Sequence, residues 1–143
     1  MRKLILFIIV LLFSMSIYGQ EEFEEYIVNK CTALLGKPLP DEFRRLDRTS
    51  FMNDEEIIVI VENGLIAQSA FGSSFDRTNE ASEFNSYFYD YFENSNWSFY
   101  KTLRNRYDVY FRNNVYACIY HPMKRDDGQI VACILFSKNV NDF

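Results

Sequence analysis

Apolar residues recur at helical spacing in Glu21–Leu35, where Phe23, Ile27, Cys31 and Leu34 fall on one side of a helix. Acidic residues crowd the first turn of this stretch, where the helix dipole favours negative charge. A glycine and a proline follow within three residues of its end, and both are typical of a helix stop. The pattern therefore predicts a helix over residues 21–35.

A second helical pattern covers Asn79–Glu93 and has a more sharply divided surface. One side carries apolar and aromatic residues, and the other carries acidic and hydroxyl groups. The apolar side consists of Ala81, Phe84, Tyr87, Phe88, Tyr91 and Phe92. Such an amphipathic segment predicts a helix that lies across a sheet, with its aromatic side in the core.

The clearest strand signal is the pair Glu56–Glu62 and Leu65–Phe71, joined by Asn63-Gly64. Both turn residues tolerate positive φ, so the dipeptide predicts a two-residue hairpin. The run from Ile57 to Val61 is apolar on both faces. We therefore expect this strand to lie inside the sheet and not at its edge.

The rest of the chain gives signals of different strength. Further strands are predicted at Tyr107–Phe111, Val115–Tyr120 and Gln129–Ser137, with a turn at Asn113-Asn114. Trp97–Arg106 and Phe43–Phe51 are ambiguous, and either stretch can hold a strand. We expect loops at Gly72–Thr78 and His121–Gly128, and a frayed tail at Asn139–Phe143.

The order of these elements is helix, strands, helix, strands. It predicts an α+β fold, in which one antiparallel sheet carries two helices packed on one face. The order also suggests a loose duplication of a helix-plus-β-meander unit, although the residues of the two halves show no repeat.

The N-terminal residues have the three parts of a secretory signal peptide. Two basic residues precede the apolar run Leu4–Phe13, and small, more polar residues follow up to Gly19. We predict a signal peptide over residues 1–19, cleavage between Gly19 and Gln20, and a single domain over 20–143. Cleavage after Ser16 and an uncleaved anchor are the alternatives. The protein is then exported, to the periplasm or outside the cell, with no membrane span left after cleavage.

Charge and composition limit the partners of such a protein. The chain has 15 basic and 20 acidic residues, and the predicted cleavage removes two basic residues and no acidic one. This acidity argues against nucleic acid and anionic membrane surfaces as partners. Aromatic residues are abundant, with 14 Phe and 10 Tyr. They favour an aromatic core, or, for some of the tyrosines, a contact surface.

The cysteines of an exported protein are candidates for a disulfide bond. If Pro122 pairs with Gln129, Cys118 and Cys133 lie directly opposite each other on neighbouring strands, which makes them the candidate pair. Two buried free thiols are the alternative. Cys31 lies on the apolar side of the first helix and is expected to be a buried thiol.

No motif commits the chain to a chemistry. The one histidine, His121, is poorly placed as a base for Cys118, and a surface position is expected for it. Asp126-Asp127-Gly128 lacks the ligand spacing of a calcium loop and fits a turn better. The sequence therefore predicts no catalytic residue, cofactor or metal site, and it leans away from an enzyme.

The function that fits best is an exported, non-catalytic binding module that acts on another protein, as an inhibitor, an immunity-type protein or an envelope-assembly accessory. Its candidate contact residues are Trp97, Phe99 and Tyr100, because no amphipathic pattern places them in the core. That these rings close the end of the core is the alternative. A small-ligand carrier with an aromatic-lined pocket is the second hypothesis, and a small exported hydrolase is the third. The oligomeric state is not predicted.

Overall fold

The structure, a computed structural model, describes residues 22–143. The predicted signal peptide and the cleavage between Gly19 and Gln20 lie outside the described residues. The chain divides into two units, Met1–Lys30 and Cys31–Phe143. The described part of the first unit is helical, and this helix, α1, covers residues 22–34.

The second unit contains nine strands and a second helix. In chain order they are β1 (Arg44–Arg45), β2 (Ser50–Met52), β3 (Ile57–Glu62), β4 (Leu65–Phe75), α2 (Thr78–Glu93), β5 (Ser98–Leu103), β6 (Tyr107–Arg112), β7 (Val115–Ile119), β8 (Met123–Lys124) and β9 (Ile130–Ser137). All strand pairs are antiparallel. The protein therefore has the predicted α+β fold of two helices and one antiparallel sheet.

The sheet joins two meanders through their last strands. Its order is β1-β2-β3-β4-β9-β7-β6-β5, with β8 paired to β9 outside this path. β4 and β9 pair from Gln68 with Ser137 to Phe75 with Ile130. As predicted, β3 lies inside the sheet. A duplication of the helix-plus-meander unit stays a prediction.

The end of α1 that belongs to the second unit lies on the same face of the sheet as α2. The hydroxyl of Ser69 on β4 donates to the Cys31 carbonyl near the end of α1, at 3.0 Å. Two residues further on, the ring of Phe71 lies 5.9 Å from the rings of both Phe84 and Phe88 of α2. Residues two apart in a strand point to the same face. α2 and the end of α1 therefore share one side, called here the helix face.

The core lies between α2 and the helix face. Fully or almost fully buried apolar side chains come to this face from the central strands: Ile57, Val59, Ala117, Ile119, Ile134 and Phe136. α2 contributes Ala81, Phe88 and Phe92 from its predicted aromatic side. The amide of Asn85, also buried on α2, donates to the Tyr120 carbonyl at 2.8 Å.

Both predicted hairpin turns are confirmed. Asn63 and Gly64 have φ of 51° and 78°, and Asn113 and Asn114 have φ of 49° and 62°. Positive φ at two successive residues gives the turn the twist of the flanking strands.

The loop predicted to begin at Gly72 is wrong over its first half, because β4 continues to Phe75. Gly72 pairs with Cys133 of β9. A Cβ at this position would lie 2.8 Å from the Cβ of Cys133 and 2.9 Å from the Ala132 carbonyl oxygen. Glycine here allows two strands to approach closely and does not end the strand.

The frayed tail is also wrong. Residues Val140–Asp142 form a short 3₁₀ helix. The Ser137 hydroxyl donates to the Asp142 carboxylate, and the Gln68 amide donates to the Asp142 carbonyl at 3.4 Å. Ser137 and Gln68 are register partners on the face opposite the helices, called here the second face. The end of the chain therefore folds back beside that face.

Within residues 22–143, neither helix is long and apolar enough to span a bilayer.

Candidate interaction surface

Trp97, the first of the three predicted contact residues, lies in the core. Its side chain is only 6% exposed. Its ring centroid is 5.1 Å from that of Phe92 on α2 and 6.2 Å from that of Phe136 on β9. The guanidinium of Arg112 lies 5.4 Å from the Trp97 ring. Trp97 therefore closes one end of the core and offers a partner almost no surface.

Phe99 and Tyr100, the other two, lie side by side on β5 and are 59% and 46% exposed. The Phe99 ring contacts Tyr110 on the helix face, at a centroid distance of 5.9 Å. The Tyr100 ring contacts Tyr116 on the second face, at 5.1 Å. The two rings thus flank one strand from opposite sides. We call them the aromatic edge.

The exposure of the aromatic edge follows from the position of β5, which is the last strand in the sheet order. β5 pairs with β6 on one side only. Its register shifts between Phe99 and Lys101, so Tyr100 lies at a bulge. A bulge and a lysine are two devices by which edge strands limit unselective pairing. The bulge also breaks the strict alternation along β5, which is why the sequence left this stretch ambiguous.

The second face of β6 and β7 carries two pairs of aromatic rings. Tyr107 stacks on Tyr120 at a centroid distance of 4.9 Å and an interplanar angle of 24°. Phe111 and Tyr116 are register partners with centroids 4.8 Å apart. Between these pairs lie the buried residues Val109 and Cys118, which oppose each other.

Three basic residues lie along this aromatic surface, and we call Lys101, Arg104 and Arg106 the cationic strip. The Lys101 ammonium is 5.3 Å from the Tyr100 ring, and the Arg106 guanidinium is 6.0 Å from the Tyr107 ring. Burial raises the pKa of Tyr120, and the positive charge of Arg104 opposes that shift. The strip therefore follows the rings from Tyr100 to Tyr120.

A turn and a lack of counter-charges keep the strip positive. Arg104 and Asn105 have φ of 53° and 52°, so Arg104 stands at the tip of the β5–β6 hairpin. Ion pairs elsewhere in the described residues join Arg44 to Asp54 at 3.8 Å and Arg125 to Asp127 at 3.4 Å. Within residues 22–143, no carboxylate forms an ion pair with a residue of the cationic strip.

The prediction that Cys118 and Cys133 lie directly opposite each other on neighbouring strands is wrong by two residues. Cys118 pairs with Leu135, and Cys133 accepts a backbone hydrogen bond from Tyr120 at 3.1 Å. The two cysteines share a face but are diagonal neighbours, which usually lie about 7–8 Å apart. A disulfide needs a Cβ separation of about 3.5–4.5 Å. The thiols of Cys31, Cys118 and Cys133 are all free in the structure.

Burial also makes these thiols weak nucleophiles. It raises the pKa of Cys31 and of Cys118 to about 12, and that of Cys133 to about 11. Near neutral pH all three are therefore protonated, whereas the thiolate is the reactive form. His121 is exposed, and its ring lies 5.8 Å from that of Tyr107.

The turn between β8 and β9 contains a cavity of about 370 Å³ lined by Arg125, Asp126 and Asp127. Its walls are charged, unlike the aromatic pocket predicted for a ligand carrier. The interface of α2 with the sheet is occupied by rings in mutual contact, such as Phe84 and Phe88 at 4.9 Å. Within residues 22–143, no three His, Cys, Asp or Glu side chains are grouped closely enough to hold a metal ion.

In comparisons with known proteins, no family model matches this chain, and neither a curated protein nor a solved structure matches it. The aromatic edge and the cationic strip are the two features of β5 and its hairpin that offer side chains to a partner.

Proposed function

We propose that the protein is an exported, non-catalytic binding module that contacts another protein through β5. The observation that carries this proposal is the aromatic edge, where two consecutive residues on the terminal strand of the sheet, Phe99 and Tyr100, are 59% and 46% exposed. Large aromatic side chains are enriched at protein interfaces and supply much of their binding energy. A partner that covers Phe99 and Tyr100 removes their apolar surface from water.

The backbone of β5 supports the same proposal. β5 has six residues and at about 3.3 Å per residue spans roughly 20 Å. The outer backbone groups of an edge strand can pair with an extended segment of another chain, while side-chain contacts give the selectivity. An inhibitor, an immunity-type protein and an envelope-assembly accessory would each use a contact of this kind.

Capture of the partner tests the binding function. The protein is immobilised, exposed to the envelope and secreted fractions of its own host, and the retained proteins are identified by mass spectrometry. We expect one specific protein to be retained by the native chain and lost with the double variant Phe99→Ala/Tyr100→Ala. Leu65→Ala is the matched control, because Leu65 is 46% exposed, as Tyr100 is, but lies at the β3–β4 turn.

Different outcomes would contradict the location of the contact, the protein-binding function or the export of the protein. Equal retention by the native chain and the double variant would show that the contact lies elsewhere. No retained protein in either fraction would argue against a protein-binding module altogether. Mass analysis of the accumulated chain tests export, since we expect it to begin at Gln20, and a cytoplasmic chain that keeps Met1 would contradict this.

A further inference from the structure

Basic residues are unevenly distributed in this acidic chain. The stretch from Trp97 to Arg125 holds six basic residues and one acidic residue, whereas the whole chain has 15 basic and 20 acidic residues. This stretch forms β5, β6, β7 and β8. One end of the sheet is therefore positively charged in a protein whose remaining residues are strongly acidic.

The single acidic residue of the stretch, Asp108, does not neutralise the cationic strip. Its carboxylate accepts a hydrogen bond from the Thr102 hydroxyl at 2.6 Å. Asp108 lies two residues before Tyr110, whose ring stacks on Phe92 of α2 at 4.9 Å. Asp108 therefore points to the helix face, while Lys101 lies beside Tyr100, whose ring contacts Tyr116 at the second face.

We infer that β5 and the adjoining second face bind an extended, acidic segment of the partner protein. Its carboxylates lie beside Lys101, Arg104 and Arg106, and its apolar side chains contact Tyr100 and Tyr116. The inference rests on the proposed function and adds the chemistry of the partner. In an extended segment alternate side chains share one side, so acidic and apolar residues that occupy every second position can reach both the cationic strip and the rings beside it.

A polypeptide fits these observations better than a polyanion does. The acidic remainder of the chain repels densely charged polymers such as nucleic acid and anionic membrane surfaces. The edge of β5 offers backbone donors and acceptors, which an extended peptide can match and a polysaccharide or a lipid headgroup cannot. Aromatic rings beside the basic groups also suit a segment that mixes carboxylates with apolar side chains.

The test uses a display library of random twelve-residue peptides. The peptides are selected for binding to the full protein, in the form that accumulates in its host. Selected peptides are synthesised, and their affinities are measured by fluorescence anisotropy. We expect selection to enrich Asp and Glu at alternate positions. We also expect binding to weaken as salt rises from about 50 to about 500 mM. The triple variant Lys101→Glu/Arg104→Glu/Arg106→Glu should lose at least about tenfold in affinity, since three charge pairs are reversed.

The control variant Lys37→Glu/Arg48→Glu/Arg77→Glu changes the net charge equally at exposed positions outside this surface. It should bind within about twofold of the native chain. If the Glu variant of the strip loses its native circular dichroism, the Gln version of the same three residues replaces it, with the same direction expected. Heparin and phosphatidylglycerol vesicles are the other probes, and tighter binding to either than to the selected peptides would overturn the inference.

Failure of the inference differs from failure of the proposed function. Neutral or basic peptides that bind through Phe99 and Tyr100, unaffected by the strip variant, would overturn the acidic partner and leave the binding module intact. A selection that enriches no peptide, together with no captured host protein, would overturn both.

Discussion

Trp97 and Phe99 are two residues apart, yet the first is 6% exposed and the second is 59% exposed. Both rings contact residues of the helix face. Trp97 is enclosed because Phe92 of α2 and Phe136 of β9 pack against it, whereas Phe99 contacts Tyr110 at the outermost pair of strands. Residue type therefore does not separate core from surface in this aromatic protein, and the position of α2 does.

Among the buried rings around Trp97, truncation of Phe92 to alanine should have the largest effect on stability. Phe92 is fully buried and contacts Trp97, Phe88 and Tyr110. Its truncation leaves a cavity that rigid neighbouring rings cannot fill, so the free energy of unfolding should fall by about 3–5 kcal/mol. Urea titration followed by circular dichroism measures this. A loss below about 1 kcal/mol would show that α2 does not hold the core together.

Two substitutions of Trp97 test directly whether its ring is part of the core. Trp97→Ala removes a buried ring and should cost about 3–5 kcal/mol. Trp97→Phe keeps a ring and removes the indole N–H, which is buried without an acceptor among the described residues, so it should cost less than about 2 kcal/mol. Equal costs, measured by the same titration, would contradict the placement of this ring in the core.

The stability of the protein at alkaline pH tests whether Cys118, on the second face, is as well shielded from water as the core. The pKa of Cys118 is raised by burial from 9.0 to about 12. Above about pH 9 the unfolded thiol ionises while the folded one stays protonated, so the folded state loses stability as pH rises towards 12. The loss approaches about 1.4 kcal/mol per pH unit for each such thiol.

Replacing the thiol isolates its contribution. Cys118→Ala should flatten the dependence of the free energy of unfolding on pH between about 9 and 10.5, and below pH 9 the slopes of variant and native chain should agree. Cys31, whose pKa is also about 12, provides the comparison from α1. An unchanged slope in the Cys118 variant would mean that this thiol is open to solvent.

Phe99→Ala and Tyr100→Ala should have the smallest effect on stability. Both side chains are already largely exposed, so each substitution should change the free energy of unfolding by less than about 0.5 kcal/mol. The melting temperature and the urea midpoint measure this. A loss as large as that of Trp97→Ala would assign these rings to the fold and remove them from the binding surface.

Elements with strong local signals could be predicted from the sequence. Asn63-Gly64 specifies its hairpin because the dipeptide accepts the backbone angles that the turn requires. The aromatic side of α2 is recognisable because every turn of the helix repeats it. In both cases the determining residues are close together in the chain.

Features set by distant residues could not be predicted. Gly72 reads as a loop locally, and only its close approach to Cys133 explains it as part of β4. Cys118 pairs with Leu135 because β8 prolongs the hairpin to the turn at Arg125–Gly128, and nothing near Cys118 signals this. Phe99 and Tyr100 are exposed, as a contact surface requires, but the sequence does not distinguish the buried Trp97 from them.

The pairing of β4 with β9 also determines when during synthesis the protein can fold. Ala70 lies opposite Leu135, although α2 and four further strands separate the two residues along the chain. A ribosome must therefore synthesise all of these elements and β9 before the central pair of strands can form. Until β9 pairs with them, β4 and β7 each lack one partner strand, and their exposed apolar residues can form incorrect contacts. A truncation that removes β9 should accordingly leave no folded half, and the protein should acquire its structure late and in one step.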